Sequence, residues 1–256
     1  MSSFPYLLFA ALFALQGGLV FSASPDSRDP PGSPLPGWFT RLRDAVYEQQ
    51  LKAGEVEGIF ESAKERALEE PEPDRYILLA RCEFMMGRAF LFDERTDEAR
   101  DCFDRGIRWA ESALNLKESS QGWQMLAENF SASCRVKPVS WVIANGTKVE
   151  KYARNALALD SGNAAAQYLI ASRYVYAPAP FNNLKKGIDM MQEILTGFDK
   201  RLDKDDRFNV WSSIGYAYFQ QKKYAAAAPW LEKSLIIYPT NKFVGDLLEK
   251  CKNRGI

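Results

Sequence analysis

The chain has no histidine among its 256 residues. That removes the side chain best suited to proton transfer near neutral pH and the commonest imidazole metal ligand. It has no net formal charge either, with 33 Lys plus Arg set against 33 Asp plus Glu. Nucleic-acid binding needs a basic face, and this balance leaves no cationic excess for one. The four cysteines, Cys82, Cys102, Cys134 and Cys251, show neither C-x-x-C nor zinc-knuckle spacing. Cys82 and Cys102 fall in the two helices of one expected hairpin. A bridge between them is one reading; small buried thiols against helix faces are the simpler one. Phosphate-loop, zincin, nucleophile-elbow and kinase signatures are missing. No acid–base or nucleophile–base pair can be assembled. The sequence therefore points away from an enzyme, and no cofactor or metal is expected.

Three further features read as structure rather than chemistry. Asp203, Asp205 and Asp206 lack the glycine and closing glutamate of a calcium loop. They precede a helical segment, where carboxylates cap amides and oppose the helix dipole. The acidic run from Glu69 to Asp74 reads as an interhelix turn. Asn129 and Asn145 each open a glycosylation triplet, a pattern frequent by chance and discounted here.

Residues 4–23 are apolar with a compact core over Leu7–Leu15, and small residues Ser22, Ala23 and Ser24 come after that core. Residues 1–23 read as a secretory signal peptide, with an uncleaved anchor as the alternative. No Lys or Arg precedes Arg28. Residues 24–36 are rich in Pro, Ser and Gly and read as a linker. The expected locale is periplasmic or secreted, and residues 37–256 form the folded domain.

The most informative spacing lies at 208–241. Trp211, Ile214 and Tyr218 recur at three- and four-residue steps and share one helix face. Gly215 and Ala227 are small where two antiparallel helices must approach. Leu231 follows four residues later, and Pro239 ends the second helix. One such hairpin cannot bury its apolar faces alone, so neighbours must stack on it. In-phase copies are present. Ile170, Ala171 and Tyr174 are followed by Gly187 and Met191; Trp123, Leu126, Ala127 and Phe130 by Ala156 and Leu157; Tyr76, Leu79 and Ala80 by Ala99 and Phe103. Two interruptions are expected, a long one over 135–148 with Trp141 and a short one over 177–183. An earlier hairpin is expected over 38–70, and residues 242–255 should form a capping helix. Pro229 stands inside an expected helix and should bend it.

This spacing, W-x2-I-G-x2-Y with Ala, a large apolar residue and Pro, resembles the tetratricopeptide repeat. The resemblance implies an all-α, right-handed α-solenoid of about five helical hairpins plus a C-terminal capping helix. The run from 99 to 241 also resembles bacterial extracytoplasmic solenoids of the group associated with TRAP-type transporters. It does so through Trp109 to Leu114, Ala177-Pro178 and Lys185-Lys186-Gly187, although the N-terminal lipid-modified cysteine of such lipoproteins is missing.

Family geometry places the binding surface on a concave face. On this chain it implies Arg81, Phe84, Glu128, Tyr168, Ser172, Tyr176, Tyr216, Phe219 and Gln220. The tyrosines line a groove or tuck between hairpins as core; both readings stand at this stage. The expected function is a scaffold that binds a protein or extended peptide, with a substrate-binding transport protein as one version. The alternative is an apolar channel holding a small lipophilic ligand or transport substrate.

Overall fold

The computed structural model describes residues 35–198 and 202–255. Among them are eleven α-helices and no strand. They are α1 (Gly37–Glu48), α2 (Ala53–Glu69), α3 (Asp74–Phe92), α4 (Thr96–Leu116), α5 (Ser120–Ser133), α6 (Val139–Leu159), α7 (Ala164–Tyr176), α8 (Leu184–Gly197), α9 (Lys204–Gln220), α10 (Tyr224–Ile237) and α11 (Lys242–Gly255). The expected all-α fold of five hairpins and a closing helix is what forms. Residues 1–34, where the signal peptide and nearly all of the linker are expected, lie outside the described residues. The described chain falls into two compact units, 35–166 and 167–255.

In the first unit α1 packs on α2 and α3, α3 on α4 and α5, and α5 on α6. Helices α3 and α5 are thereby enclosed, whereas α1 buries one stripe. Every residue of α3 from Ile77 to Phe90 is buried, so its pattern shows no polar face. The even helices present one stripe: α4 buries Ala99, Cys102, Phe103, Gly106, Ala110 and Ala113, at helical period.

Asn129 on α5 ties three helices together. Its Nδ2 donates to Met125 O at 2.9 Å and to Ala80 O of α3 at 3.4 Å. A Cβ on Gly106 of α4 would collide with its Oδ1, so a larger residue there would have to push the Asn129 amide aside. Stacked rings zip the hairpins: Tyr76 on Trp109 at 5.5 Å, Trp123 on Tyr152 at 5.5 Å and Phe130 on Trp141 at 5.7 Å.

The expected interruption over 135–148 is mostly helical. A short turn at 134–138 leads into α6, which runs unbroken for 21 residues from Val139. Trp141 sits in its first turn. Ala156 arrives late because the helix is extended at its start, not because a loop intervenes. The segment over 177–183 is a loop as expected, with Phe181 N donating to Pro178 O at 2.8 Å and the Phe181 ring 74% exposed.

In the second unit α8 packs on α9, α9 on α10 and α11, and α10 on α11. Gly187 on α8 meets α7, where an added Cβ would lie 2.6 Å from Val175 Cγ2. The carboxylates before α9 cap it as expected: Asp203 and Asp206 form a capping box, with Asp203 N donating to Asp206 Oδ2 at 3.3 Å. Pro229 is accommodated within α10. Trp211 is half-buried rather than a fully enclosed wedge, with the Arg207 guanidinium 5.9 Å from its ring centre. Buried Val244, Leu247, Leu248 and Cys251 give α11 one apolar side and one polar side, as a closing helix requires.

All four cysteines are free, so Cys82 and Cys102 do not bridge. Asn129 is fully buried, which removes the first glycosylation triplet as an acceptor.

Candidate functional site

All nine candidate residues fall on the first helices of hairpins: Arg81 and Phe84 on α3, Glu128 on α5, Tyr168, Ser172 and Tyr176 on α7, and Tyr216, Phe219 and Gln220 on α9. Burial divides them. The first seven are each 7% exposed or less, whereas Phe219 is half-buried and Gln220 exposed. The tyrosines are therefore interior side chains, the second of the two readings open at the sequence level. A peptide laid along an open wall would not touch them.

The structure brings Tyr168, Tyr176 and Tyr216 together in the second unit. The hydroxyls of Tyr168 and Tyr176 each lie 2.8 Å from Ser213 Oγ. A serine hydroxyl has one proton to donate, so at least one tyrosine donates to it. The rings of Tyr176 and Tyr216 stack with centres 5.3 Å apart. Gln220 Nε2 donates to the Tyr216 hydroxyl, which carries the network from the interior to solvent. Phe243 of α11 closes the edge, 6.4 Å from the Tyr216 ring.

Burial pushes the Tyr176 hydroxyl well above its ordinary pKa, and the neighbouring Tyr168 adds to the effect. Burial raises Tyr216 too, against the opposing hydrogen bond from Gln220. The cluster is thus a neutral hydrogen-bonded core at ordinary pH. Ser213, its centre, was not among the expected residues. Its signal was present, since Ser213 lies on the turn that carries Trp211 and Gly215 toward neighbouring helices. The family pattern instead draws the eye to Ser212.

In the first unit Arg81 and Phe84 stand on α3 and Glu128 on α5, all three buried. The Arg81 guanidinium lies 6.0 Å from the Phe39 ring centre. Phe84 packs 6.2 Å from Phe103. Glu128 belongs to a buried polar chain. Gln124 Nε2 donates to Glu128 Oε1 at 2.9 Å, Asn163 Nδ2 donates to Gln124 Oε1 at 3.0 Å and to Ser120 Oγ at 2.9 Å, and Ser120 Oγ donates to Ala156 O at 2.8 Å. Asn163 Oδ1 also accepts from Ala166 N at 2.9 Å, capping α7. This chain joins α5, the end of α6 and the start of α7.

At the solvent edge of the second unit, Phe219 meets Tyr224 edge-on at 5.4 Å across the α9–α10 turn. Beside them an open cleft of about 520 Å³ is lined by Lys222, Lys223, Tyr224, Ala225, Ala226, Arg254 and Gly255. Phe219, Gln220 and this cleft are where α9's end, α10's start and α11's end present chemistry to solvent.

Residues 208–241 match the family model for the tetratricopeptide repeat. No curated protein matches the chain. Among solved structures, the chain is similar to YrrB, described as a TPR protein with an unusual peptide-binding site. The two share 15% identity over 83% of this chain and 97% of that one, with a TM-score of 0.36. It is also similar to the APC/C hetero-tetramer Cut9–Hcn1, at 14% identity over 84% of this chain and 55% of that one, with a TM-score of 0.30. Residues 208–241, the α9–α10 hairpin described above, thus carry a tetratricopeptide repeat.

Proposed function

We propose that this protein is a non-catalytic scaffold that holds a partner protein or extended peptide at the solvent edge of its α9–α10 hairpin. One observation carries the reading: within a matched tetratricopeptide repeat, Phe219 and Gln220 are the candidate residues that reach solvent, and a packed tyrosine cluster anchors them from behind. An aromatic ring fixed at a surface gives large contact area at low entropic cost. The buried tyrosines supply rigidity rather than contact.

The reading extends to where the protein works. Residues 1–23 support export, and the resemblance of residues 99–241 supports a transport-associated partner, such as a substrate-binding protein outside the cytoplasm.

The test is co-purification from the native source with wild type and with Phe219→Ala plus Gln220→Ala. Both side chains lie at or near the surface, so the variant is expected to fold. Partner recovery should fall with the double variant. Equal recovery from both proteins rejects this edge as the binding surface, and no partner from wild type rejects the scaffold reading. Intact mass of the exported protein tests the N-terminal expectation, with loss of residues 1–23 the expected result.

A further inference from the structure

We propose that the cleft between the α9–α10 turn and the end of α11 receives an acidic segment of a partner polypeptide. The proposal rests on the scaffold reading and adds the chemistry of what is held. Two stretches about thirty residues apart in sequence supply its charge, Lys222 and Lys223 from the turn and Arg254 from the last turn of α11. All three are exposed, and among the described residues none has an ion-pair partner. Their neighbour Lys252 is already committed to Glu232 at 3.7 Å.

Among the described residues, no carboxylate side chain lines the cleft. In a chain with equal numbers of cationic and anionic residues, three uncommitted cations facing one concavity are a local imbalance that an anionic partner would neutralise.

The size of the cleft argues for a peptide over a single ion. The cleft is about 520 Å³ and open to solvent, wider than one oxyanion needs. The lining between the cations is Ala225, Ala226 and half-buried Tyr224, small or flat surfaces against which an extended backbone can lie. Tyr224 contacts Phe219, so the cleft continues into the edge proposed above to hold the partner. Arg254 can grip a carboxylate with two parallel N–H donors, while the lysines act as point charges.

The experiment measures binding of a fluorescein-labelled hexaglutamate peptide to the full chain by anisotropy. Three proteins are compared: wild type; Lys222→Glu, Lys223→Glu, Arg254→Glu; and a control with the same charge change at exposed Lys117, Lys151 and Lys185. Circular dichroism melts confirm that all three fold. Wild type and control should bind alike, and the cleft variant should bind about tenfold or more weakly, with an affinity that falls as salt is added. Equal weakening in both variants would show only a diffuse charge effect and overturn the site. Absence of wild-type binding overturns it as well. Displacement of the peptide by equimolar inorganic phosphate would make the cleft a simple anion site and overturn the peptide assignment. In the co-purification above, a partner retained equally by wild type and by the cleft variant would reject this inference and leave the scaffold reading standing.

Discussion

Gly215 on α9 lies against Leu231 on α10 so closely that an added Cβ would stand 2.6 Å from Leu231 Cδ2 and 3.4 Å from the Ala227 carbonyl oxygen. The two helices meet at the small residue that the repeat pattern places there. Gly215→Ala gains helix propensity of up to about 1 kcal/mol, but the overpacking costs about 1–3 kcal/mol. The net effect should be destabilisation, read as a lower urea midpoint. Gly58 on α2 is the contrast, because nothing lies within 4 Å of its Cβ position. Gly58→Ala should stabilise by about 0.4–1 kcal/mol through the unfolded chain. The same sign for both substitutions would refute the close approach at Gly215.

Ser213→Ala removes the shared partner of two tyrosine hydroxyls that are each 1% exposed. Leaving buried polar groups unsatisfied costs about 1–3 kcal/mol. Adding Tyr168→Phe and Tyr176→Phe to Ser213→Ala removes the two hydroxyls that lost their contact with Ser213 Oγ, and stability should recover in part. Denaturant titration of the single and triple variants decides it. A triple variant weaker than the single one means that the hydroxyls have other essential partners.

Alkali should unfold this protein earlier than its surface charge alone would. Burial pushes the Cys102 thiol up to about 12 and the Cys134 thiol up to about 11, each from an ordinary 9.0. The Tyr176 hydroxyl is raised above its ordinary 10.0 by the same cause. Each group holds its proton more tightly when folded, so the unfolded chain binds fewer protons above pH 9. Stability should be fully present below pH 9 and fall as pH climbs toward those folded values. Thermal melts between pH 8 and pH 11 will show the trend. Cys102→Ser combined with Cys134→Ser should flatten it, and a wild-type melting temperature unchanged up to pH 11 would contradict the burial of these groups.

Native thiol labelling should separate the cysteines. Cys82, Cys102 and Cys251 are each 0% exposed, whereas Cys134 is half-buried at the end of α5. Ellman's reagent should react first with Cys134, and the other three thiols should appear only on unfolding. A reaction total below four after denaturation without reductant would reveal a bridge that the structure does not contain.

The hairpin at 208–241 was legible because its small residues, aromatics and terminal proline sit at fixed offsets that backbone approach demands. The extent of α6 was not. Residues 138–147 carry no formal charge and no helical charge pairing, so the stretch after Pro138 looks like a loop until Trp141 is seen stacked on Phe130. The candidate surface was legible only by position. Periodicity assigns Tyr168, Tyr176 and Tyr216 to one face, but burial depends on which helices come to cover that face. A local pattern does not contain that information. Ser213 and Asn163 share the difficulty, since each matters through partners more than 35 residues away.

The contrast between enclosed and one-striped helices has a practical consequence for anyone attaching reporters to this molecule. Along α8, the side chains of Gln192 and Glu193 face water while Met191 and Ile194 anchor the opposite side. A dye or spin label there would report on the protein without perturbing its interior. The same probe on α3 between Ile77 and Phe90 would have no solvent-facing position to occupy.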